Sequence, residues 1–383
     1  MHDFLLKELN TYNIENELKK IGFDSSYTFY AKNKFYYKNF KIFNLSCAQA
    51  NIIKQLALSV GADCGTNKDV ITGKIERSDC VLGGSVSQLL KIAKKMQLQP
   101  FGLKQLGLLL EEQVSHGKNF KTKIMGILNV TLDSFSDGGK YYKYENAINH
   151  LNKLINDGAD IIDIGAETTK PGAKATEPEK QIDRLLPILN YIKESNINIP
   201  ISIDTRSSKV ASTCIETGVV SIINDVSGLD YDSQMAGVIA TYPNVKIVIQ
   251  HSLGTPDIMQ INPHYENLMD EIFVNLYNKL QYAQEKGISK ENIIVDPGIG
   301  FGKTCEDNFE IINRWQEFRS LGCPVLLGLS RKSLLGLPEI SNEEKDIYSL
   351  ALNSILIHQN IDYVRVHNVK YTKTILNMLN KEN

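Results

Sequence analysis

A (β/α)8 TIM barrel preceded by a small α+β N-terminal domain is the fold this sequence predicts, on three observations. Eight short apolar runs follow one another from residue 124 onward. Amphipathic helical patterns separate most of them, and a polar residue stands at or just beyond the end of each run. Continuous apolar strands alternating with helices argue for a parallel sheet covered on both faces. Eight such units over about 260 residues is the size of a (β/α)8 barrel, with a doubly wound open sheet as the rival. The division falls between residues 1–119 and 120–383.

In the first part, Leu6–Ile21 reads as a short amphipathic helix. Tyr27–Leu45 reads as a hairpin turning near Lys32-Asn33-Lys34. Ala48–Val60 and Val86–Met96 read as helices, with short strands at about Val70–Lys74 and Cys80–Leu82. Lys32, Lys34, Lys38 and Lys41 interleave with Tyr30, Phe35, Tyr36, Tyr37, Phe40 and Phe43. Such a pattern could be a nucleic-acid platform. A hairpin with an aromatic core and lysines on its solvent face accounts for it without a partner, and a docking or stabilising role is the expectation.

The barrel begins with the run Ile124–Leu128, closed by Asn129. A polar, Gly-terminated segment follows, with Thr131, Asp133, Ser134, Phe135, Ser136 and Asp137. That density of carboxylates, hydroxyls and a ring suits a loop that closes over a polar ligand. The later runs are Asp160–Ala166 with Asp163 inside it and Glu167 after it, Ile201–Thr205 with Asp204, and Ser221–Val226 with Asn224 and Asp225. Val245–Gln250 is followed by His251, Asn292–Pro297 contains Asp296, Pro324–Ser330 leads to Arg331 and Lys332, and Asp362–His367 carries Arg365 and His367. Helical patterns lie at Tyr144–Asn156, Glu179–Glu194, Tyr265–Lys286 and Asn342–Gln359. A polar group within an apolar strand is costly unless hydrogen-bonded. One at the end of every strand points to a shared ligand at the barrel mouth. Taken singly, Asp163 or Asp225 could do no more than tie a strand end to a neighbouring loop.

These residues resemble a family. Asn-Val-Thr-x-Asp-Ser-Phe-Ser-Asp-Gly-Gly at 129–139 is similar to the first mobile loop of dihydropteroate synthase, and residues 158–172 are similar to its second signature. Ile-Ile-Asn-Asp-Val-Ser-Gly at 222–228, Asp-Pro-Gly-Ile-Gly-Phe-Gly-Lys at 296–303, Ser-Arg-Lys-Ser at 330–333 and Arg-Val-His at 365–367 complete the order. The match runs from about residue 121 to the end of the chain. The resemblance implies condensation of 6-hydroxymethyl-7,8-dihydropterin diphosphate with 4-aminobenzoate, giving 7,8-dihydropteroate and diphosphate. It implies that Asp204, Asn224 and Asp296 hold the pterin edge, that Lys332 reaches the ring, and that Phe301 and Ile249 supply apolar walls. It implies that Asn129, Arg365 and His367 meet the diphosphate, Asn129 with a Mg²⁺. Phe135, Thr169, Lys170, Pro171 and Ser333 would form the aminobenzoate slot. A homodimer is the state it implies. A pterin-binding methyltransferase and a catalytically silent pterin-binding paralogue are the alternatives on the same barrel.

The chain departs from the family pattern at Leu132 (usually Pro), Lys170 (commonly Arg), Asn368 (usually Asp), Ala166 (Gly) and Gln250 (commonly Met). Leu132 loses a fixed φ, and Lys170 replaces a two-pronged donor by a point charge. The stretch Gly298-Ile-Gly300-Phe-Gly302-Lys303-Thr304 looks like a phosphate-binding loop but has Pro297 where its first Gly is required, so it reads as a turn. Six cysteines without a Cys-x-x-Cys pair and seven histidines without metal spacing fit a reduced, cytoplasmic protein. Trp315 reads as packing. A net charge of −2 gives no global field toward nucleic acid, and neither a secretion signal nor a membrane span is evident.

Overall fold

The computed structural model describes residues 5–9, 14–115, 121–130, 140–167, 176–254, 263–332 and 340–379. The chain divides into two compact units, Met1–Lys118 and Asn119–Asn383.

The first unit contains α1 (Ile14–Lys20), α2 (Ser25–Ala31), β1 (Tyr37–Ser46), α3 (Cys47–Leu58), β2 (Asp63–Thr66), β3 (Arg77–Ser85), α4 (Val86–Met96) and α5 (Leu103–Ser115). Its antiparallel sheet has the order β1-β3-β2. Helices α3 and α4 each start directly from a strand through the same device. Ser46 and Ser85 cap them, and Gln49 and Gln88 return the hydrogen bond to the cap backbone. Ile53, Leu82, Leu89, Ile92, Met96 and Leu103 form the buried centre.

Several expectations fail here. Tyr27–Leu45 is not a hairpin: Asp24 accepts from Ser26 N at 2.9 Å and starts α2, whose Thr28 and Ala31 are buried at helical spacing. Lys32–Lys34 is a 3-10 turn that leads into β1. The strand expected near Val70–Lys74 is a pair of turns around Gly73, and the strand lies earlier, at β2. Residues 5–9 are not helical, and the first helix among the described residues is α1. Helix α5 was not foreseen; it packs close to α4 because Gly107 lacks a Cβ that would meet Ala93 O at 2.6 Å.

The second unit is a barrel. Its strands are β4 (Lys123–Asn129), β5 (Ile161–Gly165), β6 (Ile201–Asp204), β7 (Val220–Asp225), β8 (Lys246–Gln250), β9 (Ile293–Asp296), β10 (Leu326–Leu327) and β11 (Tyr363–Val366). Between and after them lie α6 (Lys140–Asn156), α7 (Pro178–Glu194), α8 (Ser208–Ile215), α9 (Met235–Ala240), α10 (Leu268–Glu285), α11 (Cys305–Arg314), α12 (Asn342–His358) and α13 (Val369–Leu379). The sheet is parallel throughout, in the order β10-β11-β4-β5-β6-β7-β8-β9. A Val295–Val325 bridge joins its two ends. This closure decides for the barrel and against the open sheet. The seventh strand is shorter than expected, reduced to Leu326–Leu327.

Strand side chains alternate, so each strand feeds two cores. Met125, Ile161, Ile222, Val248, Ile294, Leu326 and Tyr363 pack together inside the barrel. Their chain neighbours, among them Ile124, Ile162, Ile223, Ile247, Ile249 and Val364, join the helix-facing core. Trp315 is fully buried there as packing, with Nε1 donating to Gln359 Oε1 at 2.7 Å. No helix of the described residues is long and apolar enough to cross a membrane.

Candidate active site

Period-two alternation builds the site directly from the inner core. Two residues beyond Ile161 is Asp163; two beyond Ile222 is Asn224; two beyond Ile294 is Asp296; two beyond Tyr363 is Arg365. Each polar side chain sits on the inward face one layer nearer the C-terminal rim. Asp225 is out of phase and faces away. It accepts from Ser227 N at 2.9 Å, Ser227 Oγ at 2.6 Å and Leu229 N at 2.8 Å, so it ties a strand end to its loop.

Arg365 is the centre of the inward set. Its Nε donates to Asp163 Oδ2 at 2.6 Å and its Nη2 to Asp204 Oδ2 at 2.6 Å. Asp163 Oδ2 also accepts from Asn224 Nδ2 at 3.1 Å. Asp163 Oδ1 and Asn224 Oδ1 are buried acceptors with no partner among the described residues. Buried acceptors left unpaired are costly, and a donor-bearing ligand at this corner would relieve that cost. Asn129 adjoins this group: a Cβ on Gly165 would lie 3.4 Å from Asn129 Oδ1 and 3.5 Å from Asp204 Cβ.

The second half of the mouth brings together Lys332, Asp296 and His367. Lys332 Nζ donates to Ile299 O and lies 4.5 Å from the centre of the Phe301 ring. Asp296 accepts from Gly298 N at 2.7 Å. His367 is oriented by Ser330: its backbone N–H donates to Ser330 Oγ at 3.1 Å, and its Nδ1 lies 2.9 Å from the same oxygen. Ser330 Oγ has a hydrogen to give to Nδ1, and in the tautomer that accepts it the imidazole proton is on Nε2.

Burial and crowding set the charges. Burial pushes the Asp204 carboxyl up to about 7, with Arg365 opposing and the carboxylates of Asp163, Glu167 and Asp225 adding to it. Burial also raises Asp296, against the pull of Lys332. It brings Lys332 down to about 8, with Asp296 resisting. It lowers His367 to about 3, helped by Arg331 and Arg365, so that imidazole is neutral near pH 7.

The expected residues Asn129, Asp204, Asn224, Asp296, Phe301, Lys332, Arg365 and His367 therefore all belong to the loops and strand ends of one barrel face. Ile249 does not line it: it packs in the helix-facing core, and the next residue, Gln250, turns inward, where its Nε2 donates to Val226 O at 3.3 Å. The expected loop and aminobenzoate residues Thr131, Asp133, Ser134, Phe135, Asp137, Thr169, Lys170, Pro171 and Ser333, with Leu132, lie outside the described residues.

Residues 125–367 match the family described as pterin binding enzyme. A dihydropteroate synthase of Clostridium beijerinckii is 45% identical over 251 residues, covering 65% of this chain and 90% of that protein. The chain belongs to the dihydropteroate synthase family. As a member it is a transferase of folate biosynthesis. The crystal structure of a dihydropteroate synthase from Clostridium difficile, solved in the presence of pteroic acid, is 38% identical with a TM-score of 0.63, covering 70% of this chain and 98% of that one. A probable bifunctional folylpolyglutamate synthase/dihydropteroate synthase of Halobacterium salinarum is 36% identical over 335 residues, covering 84% of this chain and 40% of that protein.

Beside this dihydropteroate synthase site are residues that sequence reasoning left unassigned. Asp163 was noted at its strand end but given no part in the site, although counting inward from Ile161 selects it. Ser330, which follows the seventh apolar run and opens the Ser-Arg-Lys-Ser motif, has no role assigned from the sequence; the fold sets it beside His367. Glu167 and Arg206 form a buried ion pair at 2.7 Å, and Arg206 stacks 4.2 Å from the Tyr231 ring. Arg206 carried no motif signal.

Proposed function

We infer that this face of the barrel condenses 6-hydroxymethyl-7,8-dihydropterin diphosphate with 4-aminobenzoate, releasing 7,8-dihydropteroate and diphosphate. The observation that carries the reading is the pair of orphaned buried acceptors, Asp163 Oδ1 and Asn224 Oδ1, beside the Arg365 guanidinium. A pterin presents ring N–H and amino donors along one flat edge, and its diphosphate arm needs cations nearby. Asp204, Asn224 and Asp296 take the edge, while Lys332 and Phe301 cover the ring.

In the reaction the bond from the pterin methylene carbon to the diphosphate oxygen breaks, and its electron pair leaves with the diphosphate. The aminobenzoate nitrogen forms the new C–N bond and gives up one proton. Charge on the departing group is stabilised by Arg365 and by the Nε2–H of His367. Arg365 must then exchange carboxylate partners for phosphate oxygens. Asn129 offers one neutral oxygen, which suits an ion carried in on the diphosphate, because Mg²⁺ usually binds through few protein ligands plus substrate phosphates. Bound there, Mg²⁺ would neutralise part of the diphosphate charge.

The aminobenzoate slot assigned to Phe135, Thr169, Lys170, Pro171 and Ser333, the homodimer and the cytoplasmic location complete the reading; the oligomeric state is testable by light scattering on the purified chain. The decisive experiment is diphosphate release by the purified protein with and without 4-aminobenzoate. Release that depends on the arylamine and yields dihydropteroate supports the reading. Tight pterin binding with no release would favour a silent paralogue.

A further inference from the structure

The Gly-rich turn after β9 is fastened more heavily than a connection requires. Gly298, Gly300 and Gly302 take φ values of +74°, +78° and +65°. The turn's carbonyls are gripped one by one: Ile299 O by Lys332 Nζ, Phe301 O by Lys303 Nζ at 3.0 Å, and Gly302 O by the Tyr265 hydroxyl at 2.8 Å. Lys303 is only 3% exposed and makes no ion pair among the described residues. Its other partner is His251 Nδ1 at 3.0 Å, on a ring that is 4% exposed. His251 is fixed in turn, since its N–H donates to Asp296 O at 2.8 Å and its carbonyl lies against Gly298.

Burial is costly to an ammonium and lowers Lys303 to about 7 against the pull of Asp296 and Asp307, and it lowers His251 to about 2. When Lys303 donates as an ammonium, its match is a neutral His251 with Nδ1 as acceptor and Nε2 protonated. The nearest consequence of the pair is the peptide plane after Phe301. Holding its carbonyl inward fixes the ring above which Lys332 sits.

We propose that Lys303 and His251 are a positioning pair for the pterin slot: Lys303 anchors the Phe301 carbonyl, His251 anchors Lys303, and together they set the Phe301–Lys332 stack against which a flat ring is held. Neither residue touches the substrate. The inference rests on the pterin reading and deepens it.

The test compares Lys303→Met, His251→Phe and His251→Asn with the wild-type chain. Calorimetry with 6-hydroxymethylpterin diphosphate, steady-state KM for 4-aminobenzoate, and Tm are measured for each. Lys303→Met and His251→Phe should weaken pterin binding by about tenfold, the scale of one buried hydrogen bond. They should leave the aminobenzoate KM within about twofold, which is inside the spread expected of a contact not made with that substrate. His251→Asn, whose amide oxygen can stand in for Nδ1, should restore pterin affinity. A variant that loses Tm but binds pterin normally would reduce the pair to ordinary packing and overturn the proposal. Equal losses for both substrates, or no rescue by His251→Asn, would do the same. Should Lys303→Met not fold, the two His251 variants decide alone. Absence of pterin binding by the wild-type chain would instead overturn the pterin reading and this inference with it.

Discussion

Arg365 on β11 reaches past β4 to Asp163 on β5, and the two side chains meet at 2.6 Å with the carboxylate fully buried. The contact crosses one whole strand of the barrel. It also pins Asn224, since the same Asp163 oxygen accepts from that amide. A single buried carboxylate thus sets the orientation of one cation and one amide of the site.

Replacing Asp163 by Leu should therefore cost both stability and binding. Removing one partner of a buried pair leaves a charge uncompensated and typically costs about 3–5 kcal/mol; the remaining bond to Asp204 places this case near about 3 kcal/mol. Urea unfolding gives the stability change, and calorimetry with the pterin diphosphate gives the affinity. Unchanged values for both would remove Asp163 from the site's framework.

Asp204 predicts a pH dependence of folding. Its folded carboxyl titrates at about 7, whereas an unfolded Asp titrates near about 3.9. Between those values the folded state holds a proton that the unfolded state has lost, so this group's contribution to stability falls as pH rises from about 4 to about 7. Asp204→Asn should flatten that decline. Chemical denaturation at a series of pH values, wild type against variant, checks the slope.

A hydrogen bond from Ser330 Oγ to Nδ1 would hold the His367 proton on Nε2. Ser330→Ala frees Nδ1 to take it, and Nε2 then ceases to donate to the departing group. Turnover should fall by about tenfold or more, the lower end of what loss of one donor to a developing oxyanion costs. Pterin affinity should stay near wild type. Because burial lowers His367 to about 3, neither protein should show a rate inflection near pH 6.5 from this group. Nitrogen-15 spectra of labelled histidine report the tautomer independently of rate.

Two glycines separate strain from collision. Gly218 and Gly298 both have positive φ, +83° and +74°, but a Cβ on Gly218 meets nothing within 4 Å, whereas one on Gly298 would lie 1.8 Å from His251 O. Gly218→Ala should cost only the left-handed penalty of about 1–2 kcal/mol. Gly298→Ala should cost at least about 2 kcal/mol more, because backbone must move. Thermal denaturation of the two variants gives the difference.

Much of the barrel is legible in the sequence for a physical reason. Strands buried on both faces must be apolar throughout, so an interruption by Asp204 or Asp296 stands out against the run that contains it. Phase was the neglected information. The resemblance points to Ile249 as a pterin wall, yet it alternates with the inward Val248 and must face the helices. The same count would have promoted Asp163 and set aside Asp225. In the first unit, aromatic residues between Tyr27 and Phe43 suggested strand because such residues favour sheets, while one capping carboxylate at Asp24 redirected the chain into a helix. Lys303 was hidden for another reason: its partner His251 is 52 residues away, and only the folded chain brings the two together.

The short β10 leaves the barrel with an unequal circumference. Elsewhere neighbouring strands share ladders, but between β9 and β10 the fastening is the Val295–Val325 bridge, with Val295 N donating to Pro324 O at 2.9 Å. Cooperative opening starts where protection is thinnest. Asp296 closes the strand on one side of that seam, and Lys332 follows the strand on the other, reaching back across it to Ile299 O. A flat molecule gripped between them would act as a rivet through the joint. The barrel would then breathe least when loaded, and its slowest-exchanging amides would spread into β9 and β10 only with the pterin in place.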